Sequence, residues 1–333
     1  MRERHVIERT LTRQDETPPA HFPEEAGWID TYCFEGYDPD SELFFHLHMS
    51  TWQRDRTIWR ELVLICLPNG TYAVHEGYGR AFAQNGTFGS NLRLACIEPG
   101  AVWEIAYQGP VQLARQADLL AAGGLARGPS VFLDLHCTYT GNQSVWSLRD
   151  SQQSQNYELG ASHYEQPGII AGQIHLDNSR YTFCGYAYRD KSRGARSLTG
   201  LRGYCWMHGR LENGTDFALL ATLAEAWGKS TLAGPAALWV DGVQWKALCP
   251  NPPLPTSCEP PSRSFSFDLE SAGKSVRVDV DASIGIPYSF SARNDWFLGR
   301  AVGVGDFVTY VESIRLTYDG VPGVGMSERS IAL

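Results

Sequence analysis

The chain has no apolar run approaching the ~18 residues of a membrane-crossing helix. Its opening, Met1-Arg2-Glu3-Arg4-His5, leads into polar sequence instead of an apolar signal segment. The expectation is a cytoplasmic protein with no membrane span. Long runs of one charge are missing too. The 28 basic and 37 acidic residues are interspersed and the net charge is −9, so nucleic acid is not an expected partner. None of the eight cysteines forms Cys-x-x-Cys, and most sit in apolar runs such as Leu64-Ile65-Cys66-Leu67. They read as small buried hydrophobes in a reducing compartment, not as disulfides or zinc ligands. A phosphate-binding Gly-x-x-x-x-Gly-Lys-Ser/Thr loop, a strand–Gly-x-Gly-x-x-Gly–helix unit, a Gly-x-Ser-x-Gly elbow and a His-Glu-x-x-His helix are all absent. The commonest cofactor enzymes drop out, and no cofactor is expected.

What is present points to β structure. The 333 residues are enough for two domains, and 43% hydrophobic residues argue against disorder. Ten Trp, 15 Tyr and 14 Phe, with 33 Gly and 18 Pro, favour strands joined by many turns. Alternating segments recur at short spacing, among them Trp28–Phe34, Ile58–Leu67, Ser130–Thr138, Arg180–Tyr188 and Phe307–Tyr318. Asn69-Gly70, Asn213-Gly214 and Asp241-Gly242 lie between such segments and predict hairpins. One helix is expected, over Val111–Ala122, ending at Gly123-Gly124. The polar stretch Arg149–Asn156 reads as a linker. The expected division is a loosely packed lead-in (1–26), a first domain (27–149), a linker (150–162) and a second domain (163–333), with a long Pro250–Pro261 loop in the last.

Three places could carry chemistry. His46-Leu47-His48 puts two imidazoles on one strand face, with Glu61 and His75 as the nearest further ligands. That spacing does not specify a metal site, and hydrogen-bonded wall histidines are the favoured reading. In Leu201–Leu211 one face carries Gly203, Cys205, Met207 and Gly209; the other carries Arg202, Tyr204, Trp206, His208 and Arg210. Small residues alternating with large hydrogen-bonding aromatics suit the wall of a ligand cavity, or else a solvent-facing ladder. On Tyr181–Asp190, Tyr186, Tyr188 and Asp190 share a face. A carboxyl at the end of an aromatic face can be held protonated by desolvation and act as an acid, or can simply pair with Arg189, Arg193 or Arg196.

His163-Tyr164-Glu165-Gln166, Gly172, Gly185, the run Tyr188-Arg189-Asp190-Lys191-Ser192-Arg193-Gly194-Ala195-Arg196 and Trp206 form a pattern. It resembles the lipocalin-like superfamily of AttH-like proteins, carotenoid hydratases and Diels–Alderases. Trp28, Asp38-Pro39, Leu67-Pro68-Asn69-Gly70 and Gly323-Val324-Gly325-Met326-Ser327-Glu328 extend the resemblance over most of residues 27–328. It implies two lipocalin-like β-barrels side by side and a cofactor-free enzyme or carrier for hydrophobic small molecules. It also implies functional pairs at His163 with Glu165 and at Tyr188 with Asp190. The chain departs from the pattern at Glu165, where the hydratases have Trp, and at Lys191 and Arg193, where many relatives have His and Trp.

The expectation is an all-β protein that cyclises or isomerises a hydrophobic terpenoid or polyketide by acid/base or electrostatic catalysis. A carrier, a hydratase or a pericyclase are the alternatives. Asp190, Glu165, Tyr188 and His163 are the candidate catalytic residues; Tyr186, Tyr204, Trp206, His208 and Arg202 are the candidate substrate contacts. All are expected around one cavity in the second half, with no metal.

Overall fold

A computed structural model describes residues 10–83, 86–121, 128–148, 158–226, 229–283, 285–290, 296–300 and 306–333. Strand accounts for 70% of the structure and helix for 3%, arranged as two closed eight-stranded antiparallel barrels.

Both barrels run up and down in chain order. In the first, Trp28–Asp38, Leu43–Trp52, Asp55–Cys66, Thr71–Gly79, Val102–Arg115, Ser130–Gly141, Ser162–Leu176 and Ser179–Ser197 each pair with the next. The last closes onto the first, with Trp28 opposite Ala195 and Cys33 opposite Asp190. The second runs through Leu201–Leu211, Asp216–Ala226, Pro235–Val240, Val243–Leu248, Ser264–Ser271, Lys274–Ala282, Phe307–Tyr318 and Val321–Ala332. It closes where Gly203 meets Ile331. Closure removes the exposed edges that an open sheet would present.

The hairpin signals act as their residues dictate. Gly70 and Gly214 take φ of 74° and 84°, each closing a tight loop by donating to the carbonyl three residues back. Asp241 and Gly242 both have positive φ, as a two-residue turn of the primed type requires.

Three expectations change. The strands Ser162–Leu176 and Ser179–Ser197 belong to the first barrel, so the boundary falls at the Leu198–Gly200 turn and not at 150–162. Six strands would leave Trp28–Asp38 and Ser130–Gly141 each with one edge unpaired; the two later strands fill that gap. The linker stretch 149–157 lies outside the described residues. The expected helix over Val111–Ala122 is strand as far as Arg115, because Val111 and Leu113 pack on the first barrel's core, Ala114 faces the other way, and pairing with Val131 and Ser130 and then with Thr71–Val74 continues to Arg115. Helix survives only over Gln116–Leu120, and Ala122, Gly123 and Gly124 lie outside the described residues. The lead-in is not loose from residue 10 onward. The short helix Arg13–Glu16 delivers Glu16, fully buried, to Arg189 Nη1 and Nη2 at 2.9 and 3.0 Å.

Each barrel fills its own interior. Tyr32, Phe34, Leu47, Met49, Trp59 and Trp103 pack inside the first; Cys205, Met207, Phe217, Phe267 and Ile314 inside the second. Further apolar clusters lie between the barrels, joining Tyr188 to Trp206 and Phe44 to Tyr288. Outward residues that alternation would assign to solvent are therefore buried. All eight cysteines are free; five are buried, Cys66 and Cys258 are partly so, and Cys184 is exposed. Among the described residues no helix is long and apolar enough to cross a membrane.

Candidate active site

Strand register assembles the site. Glu165 and Asp190 are directly opposite on neighbouring strands, and Asp190 is opposite Cys33 on the next. Period-two alternation puts His163 with Glu165, Tyr188 with Asp190, and Thr31, Cys33 and Glu35 on the outer face of the first barrel. The second barrel turns Tyr204, Trp206 and His208 toward them. Between the two faces is a half-open cavity of about 100 Å³. Asp190, Glu165, His163, Tyr204, Trp206 and Glu328 line it, with Leu220 and Phe290 as apolar wall. It is an inter-barrel cavity, not the interior of the second half that the sequence led us to expect. The small face of Leu201–Leu211, with Cys205 and Met207, is what fills the second barrel.

Glu165 is 1% exposed. Its Oε2 accepts from Tyr188 Oη at 2.8 Å and from Trp206 Nε1 at 3.0 Å. Burial, and then the negative charge of Asp190, hold its pKa well above the carboxylate range; the two donors oppose this without reversing it. The neutral form of Glu165 is therefore favoured, and its Oε1 lies 3.5 Å from His163 Nε2. His163 Nε2 also contacts Asp190 Oδ2 in a short hydrogen bond, so one imidazole nitrogen sits between two carboxyl groups. Its Nδ1 is buried without a hydrogen-bond partner among the described residues. Cys33 also lines the cavity, but burial, then Glu35 and Glu328, push its thiol far up and leave it un-nucleophilic.

A second carboxyl group enters from the opposite wall. Glu328 Oε2 accepts from Tyr288 Oη at 2.8 Å and Tyr204 Oη at 2.9 Å. Burial, then Glu35, raise its pKa to about 7. Behind it, Glu35 accepts from His46 Nδ1 and His208 Nε2, both at 2.7 Å. Burial works against ionisation of Glu35, yet these two hydrogen bonds outweigh it and lower its pKa. His48 lines the cavity and is neutral, because burial and then the charges of His46, Arg60 and Arg196 depress its pKa strongly.

The candidate residues separate as follows. Asp190, Glu165, His163, Tyr204 and Trp206 meet at the cavity. Tyr188 stands behind Glu165 and stacks on His208 at 4.1 Å; neither ring lines the cavity. Tyr186 is buried beneath Arg210 at another part of the interface. Arg202 points to the surface, 55% exposed, and pairs with Glu225 at 2.9 Å, because the pairing register shifts between Leu201 and Gly203 and breaks the alternation there. His46, His48, Glu61 and His75, weighed as a metal set and read as wall histidines instead, do not converge: His46 bonds Glu35, whereas Glu61 and His75 pair with each other at 2.9 Å. Metal-ligating atoms do converge in two triplets, Cys33–Glu35–His46 and His163–Glu165–Asp190, each within 4.8 Å.

Glu35, Glu328, Tyr288, Phe290, Thr31 and Arg196 were not anticipated as site residues. Glu35 and Glu328 carried a signal, an acidic residue inside an otherwise apolar or small strand. Lys191 and Arg193, the departures from the family pattern, face away from the cavity. Lys191 contacts Asp30 and lies 4.0 Å from the Tyr32 ring centre, and Arg193 Nη2 is 3.1 Å from Asp30 Oδ2.

A family model described as "Domain of unknown function (DUF7064)" matches residues 12–244. No curated protein matches the sequence. Solved structures share the two-barrel fold along nearly the whole chain. An AttH-type protein of Nitrosomonas europaea is 13% identical with a TM-score of 0.55, covering 94% of this chain and 98% of its own. CghA is 12% identical with a TM-score of 0.57, covering 97% and 96%, and is also known bound to Sch210972. Kievitone hydratase of Nectria haematococca is 8% identical with a TM-score of 0.52, covering 99% and 95%. At such identities the likeness establishes the lipocalin-like two-barrel fold.

Proposed function

The chain belongs to the DUF7064 family, and from its inter-barrel site we propose an enzyme that cyclises or isomerises a hydrophobic terpenoid or polyketide by acid/base catalysis without a cofactor. The observation that carries this reading is Glu165, a carboxyl group kept neutral by burial and by Asp190 at the wall of an aromatic cavity. Protonating an alkene or epoxide needs such an acid in a water-poor site.

Glu165 gives its Oε1 proton to the substrate, and the new carboxylate keeps two donors, Tyr188 and Trp206, on Oε2. The π faces of Tyr204, Trp206 and Tyr288 lie where a carbocation would be stabilised. Asp190, paired with His163, removes a proton from the cation, which completes an isomerisation or cyclisation with no net change in composition. The gained proton returns to Glu165 through His163 Nε2, which touches both carboxyl groups. The cavity of about 100 Å³ is smaller than a terpenoid, so the wall residues and barrels must give way on binding. The likeness in fold to kievitone hydratase and to CghA, which is known with Sch210972 bound, supports a small-molecule ligand for this fold.

The test is a turnover assay on terpenoid and polyene substrates with Glu165→Gln and Asp190→Asn. General acid/base catalysis contributes roughly 10²–10⁴-fold, so each variant is expected to lose that much in kcat with ligand binding nearly intact. Wild-type turnover in both would reject them as proton carriers and leave shape catalysis or simple carriage.

A further inference from the structure

Arg196 stands at the end of the strand Ser179–Ser197, and its side chain forms part of the cavity wall beside Leu198 and Leu201. A guanidinium group has five N–H donors and keeps its charge in proteins. Here Nη2 donates to Ser192 Oγ at 2.9 Å, and that is its one side-chain hydrogen bond among the described residues. Its Nε is buried with no hydrogen-bond partner among the described residues. Two other arginines of the strand are paired with carboxylates, Arg189 with Glu16 and Arg193 with Asp30, and Arg180 is exposed and bonds Gln173. The carboxyl groups of the cavity are engaged elsewhere, Asp190 with His163, Glu165 with Tyr188 and Trp206, and Glu328 with Tyr204 and Tyr288.

A second orphan lies nearby. Thr31 also lines the cavity, and its buried Oγ1 has no hydrogen-bond partner among the described residues. Thr31 is directly opposite Ser192, the residue that holds Arg196. One end of the cavity therefore offers a buried cation and a hydroxyl whose hydrogen-bonding capacity is not filled among the described residues. Buried charges are costly unless paired, and the flat fork of arginine matches a carboxylate through two parallel hydrogen bonds.

We propose that the ligand is a hydrophobic carboxylic acid whose carboxylate pairs with Arg196 and accepts from Thr31, its apolar chain lying toward Leu220 and Phe290. This deepens the reading of the cavity as a site for a hydrophobic small molecule and rests on it. It also fixes polarity: the head group sits at Arg196 and the reacting carbon skeleton lies beside Glu165 and Asp190.

The test is calorimetric titration at neutral pH with geranic acid, geraniol and methyl geranate, which share one terpenoid chain. A hydrogen bond to a charged group typically changes affinity by about 10- to 100-fold. Geranic acid is expected to bind tighter than the alcohol and the ester by that ratio. Arg196→Gln should erase the preference, Arg196→Lys should retain part of it, and Thr31→Val should weaken the acid more than the alcohol. Equal affinity for acid and alcohol in the wild type overturns the proposal without touching the hydrophobic-ligand reading. Absence of binding by all three overturns both. Circular dichroism and melting curves establish that each variant is folded, and the wild-type ratio decides the matter if Arg196→Gln does not fold.

Discussion

At the scale of single residues, the interface concentrates groups whose ionisation is linked to folding. Glu328 makes the sign of that linkage testable. Its pKa rises from the usual 4.5 to about 7 in the fold, so between those values the folded state holds a proton that the unfolded state has released. The stabilisation is complete below 4.5 and is lost as pH rises through 7, by up to about 1.4 kcal/mol per pH unit. Glu328→Gln is expected to flatten this fall in urea-unfolding stability between pH 5 and pH 7, an interval lying inside the window set by about 4.5 and about 7; an unchanged slope would place the proton elsewhere. Glu165, shifted up in the same direction, adds to the loss in wild type. Asp190, Glu165, His163, Tyr204 and Trp206 were legible because alternation on two strands and the family pattern both point to them. Glu35, Glu328, Thr31 and Arg196 were not, because what marks them is burial between two closed surfaces. Alternation reports which side of a strand a residue takes, and not whether that side meets water or another barrel.

At the scale of elements, the hairpin turns were readable from Asn-Gly and Asp-Gly pairs, and the barrel strands from their alternation. The misread elements share a cause. Val111–Arg115 has helix-forming composition, but pairing with Ser130 and Val131 decides it as strand. Ser162–Ser197 follows a polar stretch that looks like a linker, yet barrel closure claims it for the first half. In both cases the composition of a segment carries no record of the strand it will pair with. The helix Arg13–Glu16 is too short to be marked by periodicity, and it matters through one carboxylate. Glu16 meets Arg189, Trp103 Nε1 and Tyr164 Oη at 2.8–3.0 Å at one end of the barrel. Glu16→Ala strands the Arg189 charge in an apolar site, although Gln166 Oε1 remains 2.9 Å from its Nε. Removing one partner of a buried pair costs about 3–5 kcal/mol, and the remaining contact favours the lower figure. A chemical melt of this variant should show that loss, and a change below about 1 kcal/mol would mean the segment is dispensable.

At the scale of the molecule, two barrels that each fill their own interior leave only the space between them for a ligand. The polar residues a single barrel would show to water become the equipment of the site, and either barrel alone has half of it: Asp190, Glu165, His163 and Arg196 on one, Tyr204, Trp206, Tyr288 and Glu328 on the other. Docking is held by apolar pairs on both sides of the cavity, Phe44 and Leu64 with Tyr288 and Phe290, and Tyr188 with Trp206. A ligand seated there binds the docked state alone, so its binding energy adds to the cohesion of the whole chain. With geranic acid at a hundredfold its Kd, linkage predicts about 2.7 kcal/mol of added stability. Differential scanning calorimetry should then show one cooperative transition that moves up as a unit. Two transitions, of which the ligand shifts only one, would mean that the site belongs to a single barrel and that the interface is passive support.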